Sequence, residues 1–127
     1  MTSRSEIGRK IMGQVLGEKY LAGRDETTSS FNTPMRTFIE EYAFGEAWSG
    51  DALPLKTRSM LVLALLSALG RADELKAHVN GAINNGCTVE ELQEVFMMAA
   101  VYSGVHAGVL GIRISEGVLA ERKIPNP

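Results

Sequence analysis

The chain has 127 residues, enough for one domain with a single core and too few for two. Hydrophobic residues make up 45% and charged residues 22%, and the formal net charge is −2; no basic run or aromatic-interleaved patch marks a nucleic-acid surface. The longest apolar run, Met60 to Leu66, is far too short to cross a bilayer, no secretory leader is evident, and a lone Cys87 excludes an internal disulfide; the expectation is a cytoplasmic protein with no membrane or nucleic-acid partner.

The pattern predicts an all-α protein, a compact bundle of five to six helices in one domain over residues 1–127. A first helix is expected over Glu6–Leu16, with Ile7, Ile11 and Val15 in period and Gly8 and Gly13 interrupting it. Arg24–Ser30 is polar, lacks periodicity and reads as a loop. Thr33 and Pro34 supply an N-cap and a proline at the first helical position, and Met35, Phe38, Ile39, Tyr42 and Ala43 form the predicted buried stripe of a helix running to about Trp48. Pro54 opens the next helix, whose Met60–Leu66 block is apolar on every side and therefore predicts burial all round, with cover from another subunit. Gly70 ends it, and a helix carrying His78 follows to Gly86. Thr88 and Glu91 spell a capping box for a helix with the stripe Leu92, Val95, Phe96 and Ala99. Gly104 separates that helix from a last one through Val109, Ile112 and Leu119.

His78 is the first candidate for chemistry. Leu75, His78, Val79, Ala82 and Ile83 fall at the spacing of one helix face, which predicts an imidazole kept inside, where it must be partnered or reactive. Glu74, one turn earlier, is spaced to orient that imidazole and raise its pKa; a surface carboxylate beside a satisfied core histidine has the same spacing. Arg58 lies near the start of the most apolar helix, where the helix dipole gives a cation no advantage, leaving an anionic ligand or a structural salt bridge as its reason. Trp48, one turn after Phe44, is core or the wall of a pocket. Tyr102 and His106 flank the break at Gly104, where freed backbone N–H groups can meet an anion, or lie at the surface. Two histidines without HxxxH or HExxH spacing predict no metal site, and Cys87 has no base beside it in sequence.

Four segments carry a resemblance: FGEAW at Phe44–Trp48, LPLKTRSMLVLALLSALGR at Leu53–Arg71, ELKAHVNGAINNGCTVEELQEV at Glu74–Val95 and AVYSGVHAG at Ala100–Gly108. Through them the chain, from about Phe31 to Leu119, resembles the carboxymuconolactone decarboxylase family. The resemblance implies an all-α fold and a homo-oligomer, a trimer or hexamer. It also implies a cofactor-independent decarboxylation of a small carboxylated lactone, 4-carboxymuconolactone, to the 3-oxoadipate enol-lactone of aromatic-compound catabolism. On that reading Arg58 pairs with a substrate carboxylate, and His78, oriented by Glu74, protonates the dienolate or stabilises its oxygen. Trp48, Tyr102, His106 and Tyr42 would then line the substrate site.

Alkylhydroperoxidase relatives of that family carry a CxxC pair whose cysteines match Arg71 and Glu74, so dithiol peroxidase chemistry is not expected here. The resembling decarboxylases show a histidine at the position of Tyr42 and a proline at that of His106. These two departures leave open a different lactone or a β-keto-acid-like substrate. A non-catalytic oligomeric binding protein, with His78 a satisfied core histidine, is the remaining alternative.

Overall fold

The computed structural model describes residues 2–127, which contain seven α-helices, one π-helical segment and, among the described residues, no strand. The chain divides into two compact units, the first ending at Leu55 and the second starting at Lys56.

In the first unit, α1 (Arg4–Leu16) begins where the Ser3 hydroxyl accepts the Glu6 backbone N–H at 3.1 Å. It buries Met12, Val15 and Leu16. A second helix, α2 (Glu18–Glu26), occupies a stretch in which no apolar period announced a helix, and it absorbs Arg24, Asp25 and Glu26 of the expected loop. It buries none of its residues and is tied down by charge instead. Arg9 grips Asp25 through two hydrogen bonds of 3.0 and 2.7 Å, and Arg24 reaches Glu40 at 2.7 Å. Hydrophobic periodicity cannot report a helix held in this way, which is why the helix count is seven rather than five to six.

The helix α3 (Thr33–Phe38) starts one residue earlier in role than the sequence suggested, with Asn32 at the cap position and Pro34 in the first turn. It continues into the π-helical segment Ile39–Ala47, closed by a five-residue bond from the Trp48 N–H to the Ala43 carbonyl at 2.9 Å. The wider turn displaces the i, i+3, i+4 set from one face. The expected stripe holds only in part: Met35 and Phe38, in the α-helical turns before the π-helical segment, and Tyr42 are exposed, Ile39 and Ala43 are half-buried, and Phe44, Gly45 and Trp48 are buried. Gly8 and Gly45 explain the alternative packing. A Cβ at Gly8 would lie 1.8 Å from the Glu40 carbonyl oxygen, and one at Gly45 would lie 2.5 Å from that of Arg4, so α1 and the π-helical segment approach backbone to backbone.

The second unit contains α4 (Leu55–Leu69, less its first residue), α5 (Ala72–Asn84), α6 (Val89–Ser103) and α7 (Val105–Glu121). Leu63 of α4, Leu75, Val79 and Ala82 of α5, Leu92 and Phe96 of α6 and Val118 of α7 form its core. The capping box at α6 is present: Thr88 Oγ1 accepts the Glu91 N–H at 3.1 Å and the Glu91 carboxylate accepts the Thr88 N–H at 2.9 Å. Burial of α4 on all sides does not hold within the single chain. Leu63 is fully buried with Ser59 and Ser67, whereas Leu61, Leu65 and Leu69, successive i, i+4 neighbours, form an exposed row. Among the described residues no helix is long and apolar enough to cross a membrane.

Candidate active site

Acidic Asp73 and Glu74 stand in the first turn of α5, where the helix dipole favours them, and Leu75, Val79 and Ala82 are spaced to bury one face. His78 precedes Val79 at the margin of that face, half-buried as a residue but with its Nδ1 atom withdrawn from solvent. Burial lowers its pKa below the ordinary histidine value of 6.5, against the upward pull of the Glu74 carboxylate. Burial therefore favours the neutral imidazole, and any further negative charge brought beside it favours the protonated form. Glu74 itself is exposed, and its action on His78 is electrostatic across one helical turn.

Arg58, in the first turns of α4, is half-buried. Its neighbour Lys56 is committed to Glu91, with Nζ 2.9 Å from the carboxylate, an ion pair that raises the lysine pKa and lowers that of Glu91. Cys87 is buried; its thiol faces the Lys56 carbonyl at 3.9 Å, and burial pushes the thiol pKa up, the opposite of what a nucleophilic cysteine needs. Asn85, at the end of α5, donates from Nδ2 to the fully buried Ser59 hydroxyl at 2.9 Å and so ties α5 to α4.

The other sequence candidates occupy varied settings. Tyr102 ends α6 at 82% exposure, and His106 opens α7, also exposed, on the far side of Gly104, whose φ of 110° makes the sharp break between the two helices. Tyr42, in the first unit, is exposed and stacks on Phe38 with ring centroids 5.4 Å apart. Trp48 is buried and stacks on Phe44 at 5.5 Å with the planes within 12°, the geometry of a core residue. Among the described residues no group of three or more His, Cys, Asp or Glu side chains converges as a metal site would require.

Sequence reasoning missed one buried polar centre, Glu40. It accepts hydrogen bonds from Arg9 and Arg24 and from the Ser5 hydroxyl at 3.0 Å, while the Arg24 and Arg36 guanidiniums each hydrogen-bond the other residue's carbonyl. Burial pushes the Glu40 carboxyl up, but these donors outweigh it and hold its pKa below the usual carboxylate range. The sequence signal was slight: one of two adjacent glutamates, Glu40 and Glu41, inside a segment otherwise read for its apolar stripe.

The all-helical fold agrees with what the family comparison finds. The model of the carboxymuconolactone decarboxylase family matches residues 34–114, and the chain belongs to that family. It is 37% identical over 118 residues to the 4-carboxymuconolactone decarboxylase of Acinetobacter baylyi, covering 93% of this chain and 88% of that one. It is also 38% identical over 97 residues to the nitrosuccinic acid decarboxylase of Metarhizium robertsii, covering 76% and 68% respectively. Both relatives are decarboxylases, and this chain is an enzyme of the same carbon–carbon lyase type.

Proposed function

We propose that the chain acts as one domain that decarboxylates a small carboxylated lactone of the 4-carboxymuconolactone type to its enol-lactone without an organic cofactor, as a step in aromatic-compound breakdown. The observation that carries the reading is the likeness to the bacterial relative over nearly the whole chain, together with the half-buried His78 one helical turn after Glu74.

The chemistry of the two relatives' named substrates narrows the requirement. In 4-carboxymuconolactone the departing carboxylate sits on a ring carbon conjugated through a double bond to the lactone carbonyl. In nitrosuccinic acid one carboxylate sits on the carbon that bears the nitro group. Either way the C–C bond electrons pass to an oxygen as carbon dioxide leaves, so no separate electron sink is needed. Each substrate also keeps a second carboxylate on a CH2 arm of the same carbon. A site for such a molecule needs a cation for the retained carboxylate, an environment that disfavours the departing one, and an acid to return a proton to carbon.

Arg58 is assigned to the retained carboxylate, in keeping with the guanidinium's fit to a carboxylate. His78 is assigned to the proton. Burial favours its neutral form in the free protein; it gains affinity for a proton when the dianion adds its charge to that of Glu74, and the imidazolium then delivers that proton to the carbanion. Glu74 is a positioning residue on this scheme.

The exposed row Leu61, Leu65 and Leu69, with Val101, Val105 and Val109 on α6 and α7, supports a homo-oligomer, a trimer or hexamer, that covers these side chains.

The test is an ultraviolet assay with fresh 4-carboxymuconolactone and trapped carbon dioxide, run on the wild type and on His78→Ala. Stoichiometric carbon dioxide from the wild type, with turnover lower by roughly a hundredfold or more in a folded variant, is the expected result. Wild-type turnover in the variant removes His78 from the scheme. A second reading, a different carboxylated substrate, is favoured by Tyr42 and His106 and by a 38% identical relative named for nitrosuccinic acid. It predicts an inactive wild type towards the lactone and activity towards another acid of the kind described, with Tyr42→His and His106→Pro shifting the preference.

A further inference from the structure

The second unit holds a cavity that the proposed reaction does not use. It lies between the start of α6, the later turns of α7 and the C-terminal Asn126–Pro127, with a volume of about 210 Å³, and none of Arg58, Glu74 or His78 lines it. Its walls are mostly apolar, from Leu92 and Phe96 on one helix and Ile112 and Leu119 on the other. Into this lining comes one hydroxyl. Ser115 is 5% exposed, and its Oγ has no hydrogen-bond partner among the described residues. A buried hydroxyl left so is an exception among native proteins, where buried polar groups are almost always paired.

We infer that this cavity is a binding site for a small uncharged molecule of single-ring size that carries one hydrogen-bonding group for Ser115. The size agrees, since an apolar cavity of about 150 Å³ already accepts benzene. Charge points the same way: Glu116, the one ionisable side chain in the lining, repels an anion, and a lining that is mostly apolar favours a molecule without charge. Phe96 also lines a second, larger groove between α6 and α7. The ring is set against Gly111, where a Cβ would lie only 2.0 Å from Cδ1, so α7 keeps a glycine to seat it. Phe96, Ile112 and Glu116 line both cavities, whereas Ser115, Leu92 and Leu119 line only the one proposed, and Val105 and Val109 only the groove.

That division supplies the test, which stands apart from any decarboxylase assay. The full chain, labelled for amide NMR, is titrated with phenol, with toluene as the ring without a hydroxyl and with benzoate as the anion. Saturable shifts at Leu92, Ser115 and Leu119, with phenol bound more tightly than benzoate, are expected. Ser115→Ala, which places the best helix former in a helix and leaves the cavity shape nearly intact, weakens phenol about fivefold and leaves toluene unchanged. Val89→Phe, at the rim, weakens both. Absence of saturable shifts at those amides, the result if water alone satisfies the hydroxyl, overturns the inference. So does phenol binding that moves only Val105 and Val109, or that is indifferent to both substitutions.

Discussion

The Arg24 guanidinium lies 2.7 Å from the Glu40 carboxylate, with the two side chains only 9% and 12% exposed, and this pair joins α2 to the π-helical segment. An ion pair so far out of water is weak evidence for net stability, yet removing one partner strands the other. Glu40→Ala is expected to cost about 3 kcal/mol in urea unfolding. The exposed pair Lys76–Glu121, 3.2 Å apart, serves as the control, and Glu121→Ala should shift the midpoint little. Equal effects of the two substitutions would contradict the importance given to Glu40. Because the folded-state pKa of Glu40 is depressed, its contribution is complete above the ordinary carboxylate value near 4.5 and is lost as pH falls through the folded pKa.

Glycines of the first unit should respond in opposite directions. Gly8→Ala forces a methyl group to within 1.8 Å of the Glu40 carbonyl oxygen, so α1 and its neighbour must part, at a cost of about 3 kcal/mol. Gly23→Ala, inside α2 with nothing within 4 Å, should stabilise by roughly 0.5 to 1 kcal/mol through helix propensity. Thermal unfolding of the two variants reads both signs.

His78 makes two pH predictions. Its folded-state pKa lies below the ordinary 6.5, so the unfolded chain binds the proton more readily and stability falls as pH drops from about 6.5 through the folded value. His78→Gln should flatten the unfolding midpoint over that acid range. For catalysis, kcat/KM reports the free enzyme, and as an acid works only when protonated it should decline with rising pH from a point below 6.5. The decline of kcat should sit at higher pH, because the bound dianion raises the imidazole. A kcat/KM that increases with pH across this range would exclude His78 as the proton donor.

Val101 is among the more exposed apolar side chains, on the outer side of α6. In an oligomer that covers it, Val101→Glu buries an unpaired charge, and light scattering should show a loss of mass at micromolar concentration. Unchanged mass with unchanged unfolding would place the subunit contact elsewhere.

The helices of the second unit were legible in the sequence because each carries its own instructions. Thr88 and Glu91 cap α6, Gly70, Gly86 and Gly104 end helices at positive φ, and Leu75, Val79 and Ala82 repeat at the period of a buried face. His78 was legible for the same reason, since its position against that face follows from counting along one helix. The first unit was read less well. No local pattern marks α2, which is held by Arg9 and Glu40 from elsewhere in the chain, and the 3.6-residue period misplaces side chains in a segment that hydrogen-bonds as a π-helix.

The sequence by itself determined the family, through the segments it shares with it, and the helical class, the caps and the candidate pair Glu74–His78, which rest on short-range spacing. Only the tertiary structure decided that Phe44 and Trp48 go inward while Met35, Phe38 and Tyr42 stay out, that Glu40 is enclosed by arginines, and that burial outweighs Glu74 in setting the charge of His78. These depend on which backbones approach closely enough to exclude water. Gly8 and Gly45 show the reason: Gly8 reads in the sequence as an interruption and Gly45 as one letter of a segment, and each acquires its meaning only when another stretch of chain lies against it.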